Sequence, residues 1–516
     1  MTVLSLLLAF SADFDLLIRN GRLVDGTPTP WRYADVGIVG DRIAAIGQLR
    51  EKTAARVIDA SGLIVCPGFI DIHNHGRRNL FVLPSAENYI RQGVTTLIEG
   101  NDGNSPLPLA PFLEKVAAAR PAVNMGFFVG HGSVRQEVLE LAKRQVTPEE
   151  LEQMKALVDQ AMRDGAFGLS TGLFYVPGNF APTEEVIELA KVAARYGGIH
   201  ISHMRDEAAD ILQSVAETIR IGREAGLPTQ VSHHKIIGAS NWGLAVRTVA
   251  MVEEARARGV DVTMDQYPYT ASSTGSAALF PQWALAGGRK ALLERLETPQ
   301  TRAQIKAVII DRIKNDRGGG DPQNIVYANC PFDVSLNGKT LAEVTRAKGQ
   351  EPTPDNAAEV AMEIQAKGGC SCIYHAISEA DIAVIMKSPY TMIASDGEIT
   401  VPGSGEVPHP RGNGTFARVL GRYVRERKLL TLEEAVWKMS GLPAARLNLE
   451  GRGILAPSKF ADIAIFDAET VIDTADYGNP YQFAKGFHHV IVNGKPVLLH
   501  GELTQERPGR ALRRTP

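Results

Sequence analysis

Both ends of the chain alternate short apolar runs with turn residues, a pattern typical of half-buried strands. Such runs surround Asn20-Gly21 and Gly40-Asp41 near the start, and Asn493-Gly494 near the end. Turn pairs of this kind between alternating runs predict β-hairpins. We therefore predict one small β-sandwich domain that is built from residues 13–62 together with residues 445–510.

Between these ends the pattern changes to near-continuous apolar runs that are separated by amphipathic stretches. Such runs are expected for parallel strands that are buried on both faces. Helix-start signals lie between them: Thr147-Pro148-Glu149-Glu150 is a capping box with proline at the first helical position, and 183–185 begins another helix. The predicted strands are 63–72, 95–98, 125–130, 166–170, 199–202, 229–232, 260–267 and 390–395.

Eight strands that alternate with helices predict an α/β fold, a (β/α)8 or TIM barrel, over residues 63–444. An irregular stretch at about 275–354 separates the seventh and eighth strands. A connection of that length usually carries function or forms a subdomain, so we treat it as an insertion in the barrel.

The charge balance limits the classes of partner. The 516 residues include 55 Lys and Arg against 58 Asp and Glu, a formal net charge of −3. That balance argues against nucleic acid or an anionic membrane surface held by bulk charge. No apolar run reaches the roughly 18 residues of a membrane helix. We expect a small-molecule substrate, and the oligomeric state stays open, a homo-oligomer included.

Cysteine usage and the N-terminus bear on location. Four cysteines are too few for a disulfide framework, and Cys370 and Cys372 have no second pair at zinc-site spacing. We therefore expect a cytoplasmic protein. Residues 3–10 are apolar, but the first positive charge, Arg19, comes after them, so we interpret them as a strand. If residues 1–12 are instead the remnant of a signal peptide, the protein is periplasmic or secreted.

Candidate metal ligands follow several of the predicted strands. His73 and His75 come after the first strand, and alternate residues of an extended segment share a face, so both imidazoles can bind one ion. The carboxyl ends of barrel strands converge on one opening. Imidazoles and carboxylates gathered there suit a divalent metal, most often zinc. The candidates after later strands are Glu99, Asp102, His203, His233, His234 and Asp396.

These motifs resemble the amidohydrolase superfamily and, within it, the N-acyl-D-amino-acid deacylase (D-aminoacylase) family. The resemblance covers about residues 13–510. It implies metal-dependent hydrolysis of the C–N amide bond of N-acyl amino acids, with the D configuration as the expectation, by one or two Zn2+ ions per subunit. The stretches that carry it include Pro67-Gly-Phe-Ile-Asp-Ile-His-Asn-His, Ser202-His-Met-Arg, Ser232-His-His-Lys, Asp265-Gln-Tyr-Pro-Tyr, Ser395-Asp-Gly and His409-Pro-Arg.

The resemblance also implies roles for individual residues. His73, His75, His203 and His233 match the histidine ligands of the family, and His234 is then structural. Asp396 matches the aspartate that acts as general base and later as general acid. The positions that match groups gripping the substrate carboxylate or lining the pocket are Tyr175, Lys235, Tyr267 and Arg411.

Two stretches depart from the family pattern. Members commonly have Gly-Asn-Cys-Gly after the second strand, with the thiolate on zinc, whereas this chain has Asp102 in the cysteine's place. Aspartate is a competent zinc ligand and can bridge two ions. Glu99 is a rival for the same role. After His75, where many members have acidic residues, this chain has Arg77 and Arg78, which leaves metal number and substrate range open.

Other functions remain as alternatives. A dipeptidase or a cyclic-amide hydrolase, such as a hydantoinase or dihydroorotase, shares the superfamily. Several such enzymes carry a carboxylated lysine on the fourth strand, and residues 166–171 contain no lysine. A non-catalytic scaffold of the same fold would be expected to lose its metal ligands, and this chain keeps four histidines and the aspartate. Neither the preferred amino acid nor its configuration follows from the sequence.

Overall fold

Strands from both ends of the chain pair in one nine-stranded sheet in the computed structural model, which describes residues 12–514. The two ends join where Ile64–Pro67 pairs antiparallel with Ile463–Phe466. The apolar alternation predicted such strands, but a strand within residues 3–10 lies outside the described residues. The strands of this terminal sheet are Phe14–Leu23, Arg32–Val39, Arg42–Gly47, Ala54–Asp59, Ile64–Pro67, Ile463–Phe466, Phe487–Val492, Lys495–Leu499 and Glu502–Leu503.

Two of the three predicted hairpin turns are confirmed. Gly40-Asp41 connects Arg32–Val39 to Arg42–Gly47, and Asn493-Gly494 connects the strands on either side of it. The prediction for Asn20-Gly21 is wrong, because the strand continues through it with a shift of register between Ile18 and Gly21. Asn20 takes a φ of 63° there. A bulge and a hairpin turn favour the same residues, so the pair alone does not distinguish them.

All eight predicted central strands are present and parallel, in a six-stranded and a three-stranded sheet; one predicted strand is divided into two pieces. The prediction for 63–72 needs correction: its first part belongs to the terminal sheet, and the chain changes sheets at Gly68. A Cβ there would lie 2.2 Å from Thr95 Cγ2. The strands are Phe69–Asp71, Val94–Glu99, Asn124–Phe127 with Val129–Gly130, Gly168–Gly172, Ile199–His203, Thr229–Val231, Val262–Gln266 and Thr391–Ile393.

Helices follow the central strands. Thr147 forms the predicted capping box with Glu150 at the start of Pro148–Arg163. Among residues 12–514 no helix combines the length and apolarity needed to cross a membrane. The α-helices outside the insertion are Glu87–Ile90, Leu109–Ala119, His131–Leu139, Pro148–Arg163, Thr183–Arg195, Ile211–Ala225, Ala245–Ala257, Glu379–Lys387, Arg411–Arg418, Leu432–Met439 and Gly441–Leu447, and Val419–Glu426 is a π-helix.

The stretch expected to be irregular, about 275–354, is instead ordered around its own apolar core, which includes Ile305, Ile309 and Tyr327. The predicted end at about 354 needs correction, because this core continues to Tyr374, and a disulfide joins Cys330 to Cys370 within it. The sequence did not predict this bond, because the two cysteines lie 40 residues apart and only the fold brings them together. The elements of the insertion are the helices Gln282–Leu285, Gly288–Glu297, Pro299–Asn315, Leu341–Ala347 and Pro354–Ala366, and the antiparallel strands Ser272–Gly275, Ile325–Asn329 and Ser371–Tyr374.

Candidate metal centre

The carboxyl ends of the central strands bring the predicted histidines and two aspartates together. Their ligand atoms form two groups, and within each group these atoms all lie within 4.8 Å of one another. Asp102 belongs to both groups, so two cations held there would share its carboxylate. The first group is His73, His75, Asp102 and Asp396, and the second is Asp102, His203 and His233.

The Asp102 carboxylate lies among all four imidazoles. Its Oδ1 is 3.3 Å from His73 Nε2, 3.6 Å from His203 Nδ1 and 3.4 Å from His233 Nε2. Its Oδ2 is 3.4 Å from His75 Nε2. Burial raises the pKa of Asp102, but the charges of His73 and His233 outweigh burial and hold that pKa well below its usual range. Asp102 is therefore an ionised carboxylate whose Oδ1 faces histidines of both groups, while its Oδ2 faces His75 of the first group.

Three of these residues have backbone conformations that residues other than glycine rarely adopt. Asp102, His233 and Asp396 have φ of 55°, 34° and 50°. Such strain is characteristic of functional sites and persists only where the surroundings fix it. Around Asp102 they do: Ser170 Oγ accepts from Gly103 N and donates to Gly100 O, at 3.1 and 2.5 Å. The strained loop is thereby tied to the neighbouring strand.

Glu99, the rival of Asp102, lies in neither group. Its Oε2 accepts a hydrogen bond from Gly100 N at 2.5 Å, and its Oε1 lies 3.4 Å from Arg77 Nε. Burial raises the pKa of Glu99. The geometry therefore favours Asp102 in the position where the family commonly has cysteine.

The Asp396 carboxylate joins His75 of the first group to the guanidinium of Arg411. Its Oδ1 lies 3.0 Å from His75 Nε2, and its Oδ2 accepts from Arg411 Nη1 at 2.6 Å. Burial raises the pKa of Asp396, but the Arg411 guanidinium and then His73 outweigh burial and hold it well below the usual range. Asp396 is thus ionised and able to accept a proton.

Two acidic residues that sequence reasoning missed as site residues support the histidines. Asp265 Oδ1 accepts from His233 N at 2.8 Å and lies 3.5 Å from His73 Nδ1. Glu207 Oε1 lies 3.2 Å from His233 Nδ1. Asp265 comes at the end of the seventh strand, the same signal that identified the other candidates, whereas Glu207 lies in a loop and had no such signal.

A cavity of about 410 Å³ opens onto both groups, and all four residues predicted to contact the substrate line it. Tyr175 donates to or accepts from Thr274 Oγ1 at 3.0 Å, and its ring packs 4.5 Å from the His203 ring, centroid to centroid. Tyr267 Oη has no hydrogen-bond partner within residues 12–514. His234, which the sequence analysis interpreted as structural, lies in neither metal group, and its Nε2 lies 2.8 Å from Thr248 Oγ1.

Comparison with known proteins identifies the family of the chain. Residues 56–498 match the model of the Amidohydrolase family, so the chain belongs to that family. It is 40% identical to the D-aminoacylase of Alcaligenes xylosoxydans xylosoxydans, over 98% of this chain and 99% of that protein. The resemblance derived from the motifs is therefore confirmed.

Solved structures give the same assignment. A D-aminoacylase structure described with a binuclear metal centre matches with a TM-score of 0.83 at 37% identity, covering 97% of this chain and 100% of that one. N-acyl-D-glutamate deacylase from Bordetella bronchiseptica, complexed with zinc and a phosphonate mimic of the tetrahedral intermediate, matches with a TM-score of 0.83 at 35% identity, covering 97% and 99%.

Proposed function

We propose that the protein is a metal-dependent hydrolase that cleaves the C–N amide bond of N-acyl-D-amino acids to a carboxylate and a free amino acid. The observation that carries this proposal is the Asp102 carboxylate among four imidazoles, with the ionised Asp396 beside them. The substrate class is supported by the similarity to D-aminoacylase and to N-acyl-D-glutamate deacylase.

The donor atoms fit a divalent cation. Nε2 of His73 and Oδ1 of Asp102, which lie 3.3 Å apart, are buried and have no hydrogen-bond partner within residues 12–514. Buried polar atoms without partners are costly, so this set is better satisfied by a bound ion. We propose one or two Zn2+, because neutral imidazole and carboxylate are typical zinc ligands. His203, His233 and Asp102 would hold one ion, and His73, His75, Asp102 and Asp396 the other.

The chain's own residues supply the proton transfers. A divalent ion bound here supplies Lewis acidity, which lowers the pKa of water to about 7 and polarises a carbonyl. Asp396 accepts the proton of the attacking water and then donates it to the departing amide nitrogen. Arg411 keeps Asp396 ionised until that step. Burial holds the pKa of Tyr267 well above its ordinary value, so its neutral hydroxyl is available as a hydrogen-bond donor to the substrate.

Substrate binding is assigned to the cavity beside the two groups. Its volume, about 410 Å³, lies within the range of roughly 300–1,000 Å³ that is typical of small-molecule sites. Tyr175, Lys235, Tyr267 and Arg411 line it and would contact an N-acyl amino acid or a dipeptide-like substrate.

We also propose that the eight central strands close into a TIM barrel. Asp396 N donates to His73 O, and His75 N donates to Gly397 O, both at 2.7 Å, which supports contact between the first and eighth strands. The terminal sheet would form the β-sandwich domain predicted at residues 13–62 and 445–510. Because Ile64–Pro67 pairs within that sheet, the first segment of the domain would extend to residue 67, and the barrel would run from residue 69 to 444. A cytoplasmic location and the oligomeric state stay predictions.

The test is metal analysis of the purified protein, paired with a panel of N-acyl-D-amino acids, N-acyl-L-amino acids, dipeptides and hydantoins. We expect bound zinc and turnover confined to the N-acyl-D-amino acids. Turnover of dipeptides or hydantoins alone would favour the alternative functions. Absence of turnover on every substrate by the zinc-loaded protein would favour a scaffold and refute the proposal.

A further inference from the structure

Arg317, from the insertion, is a buried cation on the wall of the cavity. It follows the helix Pro299–Asn315, and only 3% of its side chain is exposed. Its guanidinium carbon lies 4.5 Å from the centroid of the Phe174 ring. Within residues 12–514 its one ion pair is to Glu207, at 3.5 Å, and its Nε has no hydrogen-bond partner.

The other cations of the cavity lie against acceptors of the protein. Lys235 Nζ donates to Glu207 Oε1 at 2.5 Å and to His233 O at 3.0 Å, which uses two of the three N–H donors of an ammonium. Arg411 is bound to Asp396 at 2.6 Å.

The two arginines at the other side of the lining also have carboxylate partners: Arg77 lies 3.4 Å from Glu99, and Arg78 lies 2.7 Å from Glu398. Arg317 differs from these cations because it is buried beside the substrate space, its carboxylate partner lies no closer than 3.5 Å, and its Nε has no acceptor within residues 12–514.

Two hydroxyls of the same cavity also lack partners. Tyr267 Oη and Ser272 Oγ are buried without a hydrogen bond to any residue of 12–514, and both residues line the cavity with Arg317. The charge of Arg317 is close enough to Tyr267 to oppose the effect of burial on the pKa of that phenol. A guanidinium and two hydroxyls that line one cavity with donors unused by the protein suit an anion with several acceptor oxygens.

We propose that Arg317 binds a carboxylate of the substrate, a role that rests on the proposed deacylase function. The planar guanidinium matches a carboxylate with two parallel hydrogen bonds, which an ammonium cannot reproduce. The carboxylate is either the α-carboxylate that every N-acyl amino acid carries or the second one of an acidic side chain. In both cases the residue that determines substrate specificity comes from the insertion and not from the carboxyl ends of the central strands.

Three substrates separate the two sources. N-acetyl-D-methionine carries only the α-carboxylate, N-acetyl-D-glutamate carries both, and N-acetyl-D-methioninamide carries neither. The variants are Arg317→Gln and Arg317→Lys. The matched control is Arg302→Gln in the preceding helix, Pro299–Asn315, where a half-buried arginine pairs with Glu359 away from the cavity. We expect Arg317→Gln to raise KM for the affected carboxylate substrates by about ten- to a hundredfold, the value of a charged hydrogen bond. Arg317→Lys should recover part of the loss, and the control should change nothing.

If KM rises for both N-acetyl-D-methionine and N-acetyl-D-glutamate, Arg317 binds the α-carboxylate. If KM rises for N-acetyl-D-glutamate alone, Arg317 binds the side-chain carboxylate. Unchanged KM for both, or an equal change for the amide, would refute the role of Arg317. Failure of the proposed function is distinct, since the zinc-loaded wild type would then hydrolyse none of the three. If Arg317→Gln does not fold, the wild-type protein provides the test. Its kcat/KM must be higher for N-acetyl-D-methionine than for N-acetyl-D-methioninamide, or higher for N-acetyl-D-glutamate than for N-acetyl-D-glutamine. Equal kcat/KM within both pairs would refute the proposal.

Discussion

Asp102 is the residue on which both metal groups depend, and its substitution is the sharpest test of the site. Asn is the right replacement because Asp102 has a φ of 55°, a conformation that Asn tolerates and Ala does not adopt without strain. Asp102→Asn keeps the shape of the side chain, but it removes the negative charge and one of the two acceptor oxygens.

The size of the effect follows from the contacts of the carboxylate. Its two oxygens lie 3.3 to 3.6 Å from nitrogens of four histidines, so both groups lose their shared anion. Loss of a residue that merely supports a metal ligand costs about 10–100-fold in affinity. A ligand shared by two ions should cost at least about 100-fold, or about 2.7 kcal/mol.

The assay is zinc affinity by competition with a chromophoric chelator, together with the number of ions bound per chain. Glu99→Gln is the matched control, because Glu99 is a buried carboxylate three residues before Asp102 that lies in neither group. We expect Asp102→Asn to lose zinc and Glu99→Gln to keep it. Asp102→Cys, which restores the residue common in the family, should retain one tightly bound ion. Wild-type affinity in Asp102→Asn with loss in Glu99→Gln would refute the reasoning and make Glu99 the bridge.

Three further variants test the proton transfers and the insertion. Asp396→Asn should keep the fold and the ion at His203 while kcat falls by about 10²–10⁴, as expected for loss of a general base; undiminished kcat would exclude that role. Arg411→Gln removes the cation that holds the pKa of Asp396 low, so the acid limb of the kcat–pH profile should move to higher pH, and a fixed limb contradicts this. Replacing Cys330 and Cys370 by Ser together removes a crosslink between residues 40 apart and should lower the free energy of unfolding by about 4 kcal/mol; a denaturant midpoint equal to that of the wild type would argue against the disulfide.

The central strands and the metal groups were predictable because both depend on local pattern. A strand buried on both faces needs a continuous apolar run, and its carboxyl end is where a polar residue first becomes possible. His203 and Asp396 lie at or just after such ends. Since parallel strands all end on the same side, these residues had to lie near one another.

What the sequence did not predict depends on distant partners. The run 63–72 is apolar apart from Asp71, and the passage from one sheet to the other falls at Gly68, where a Cβ would clash with Thr95. Cys330 and Cys370 meet through the pairing of two strands far apart in sequence. Arg317 lies beside a glycine run that resembles a loop, and its burial against Phe174 depends on how the insertion packs.

The residues proposed for catalysis and the residue proposed for substrate selectivity lie in different parts of the fold. The proposed metal ligands and Asp396 lie at the ends of the central strands, where backbone pairing fixes them, whereas Arg317 belongs to an insertion with its own apolar core. A substitution in the insertion can therefore alter one wall of the cavity without moving a metal ligand. Glu207 joins the two parts through charge, since its carboxylate lies near His233, Lys235 and Arg317. Glu207→Gln should for that reason change metal affinity and substrate KM together, in contrast to Arg317→Gln, which changes KM alone. Zinc affinity and KM measured on the same preparations distinguish these outcomes, and an unchanged zinc affinity in Glu207→Gln would mean that the two parts act independently.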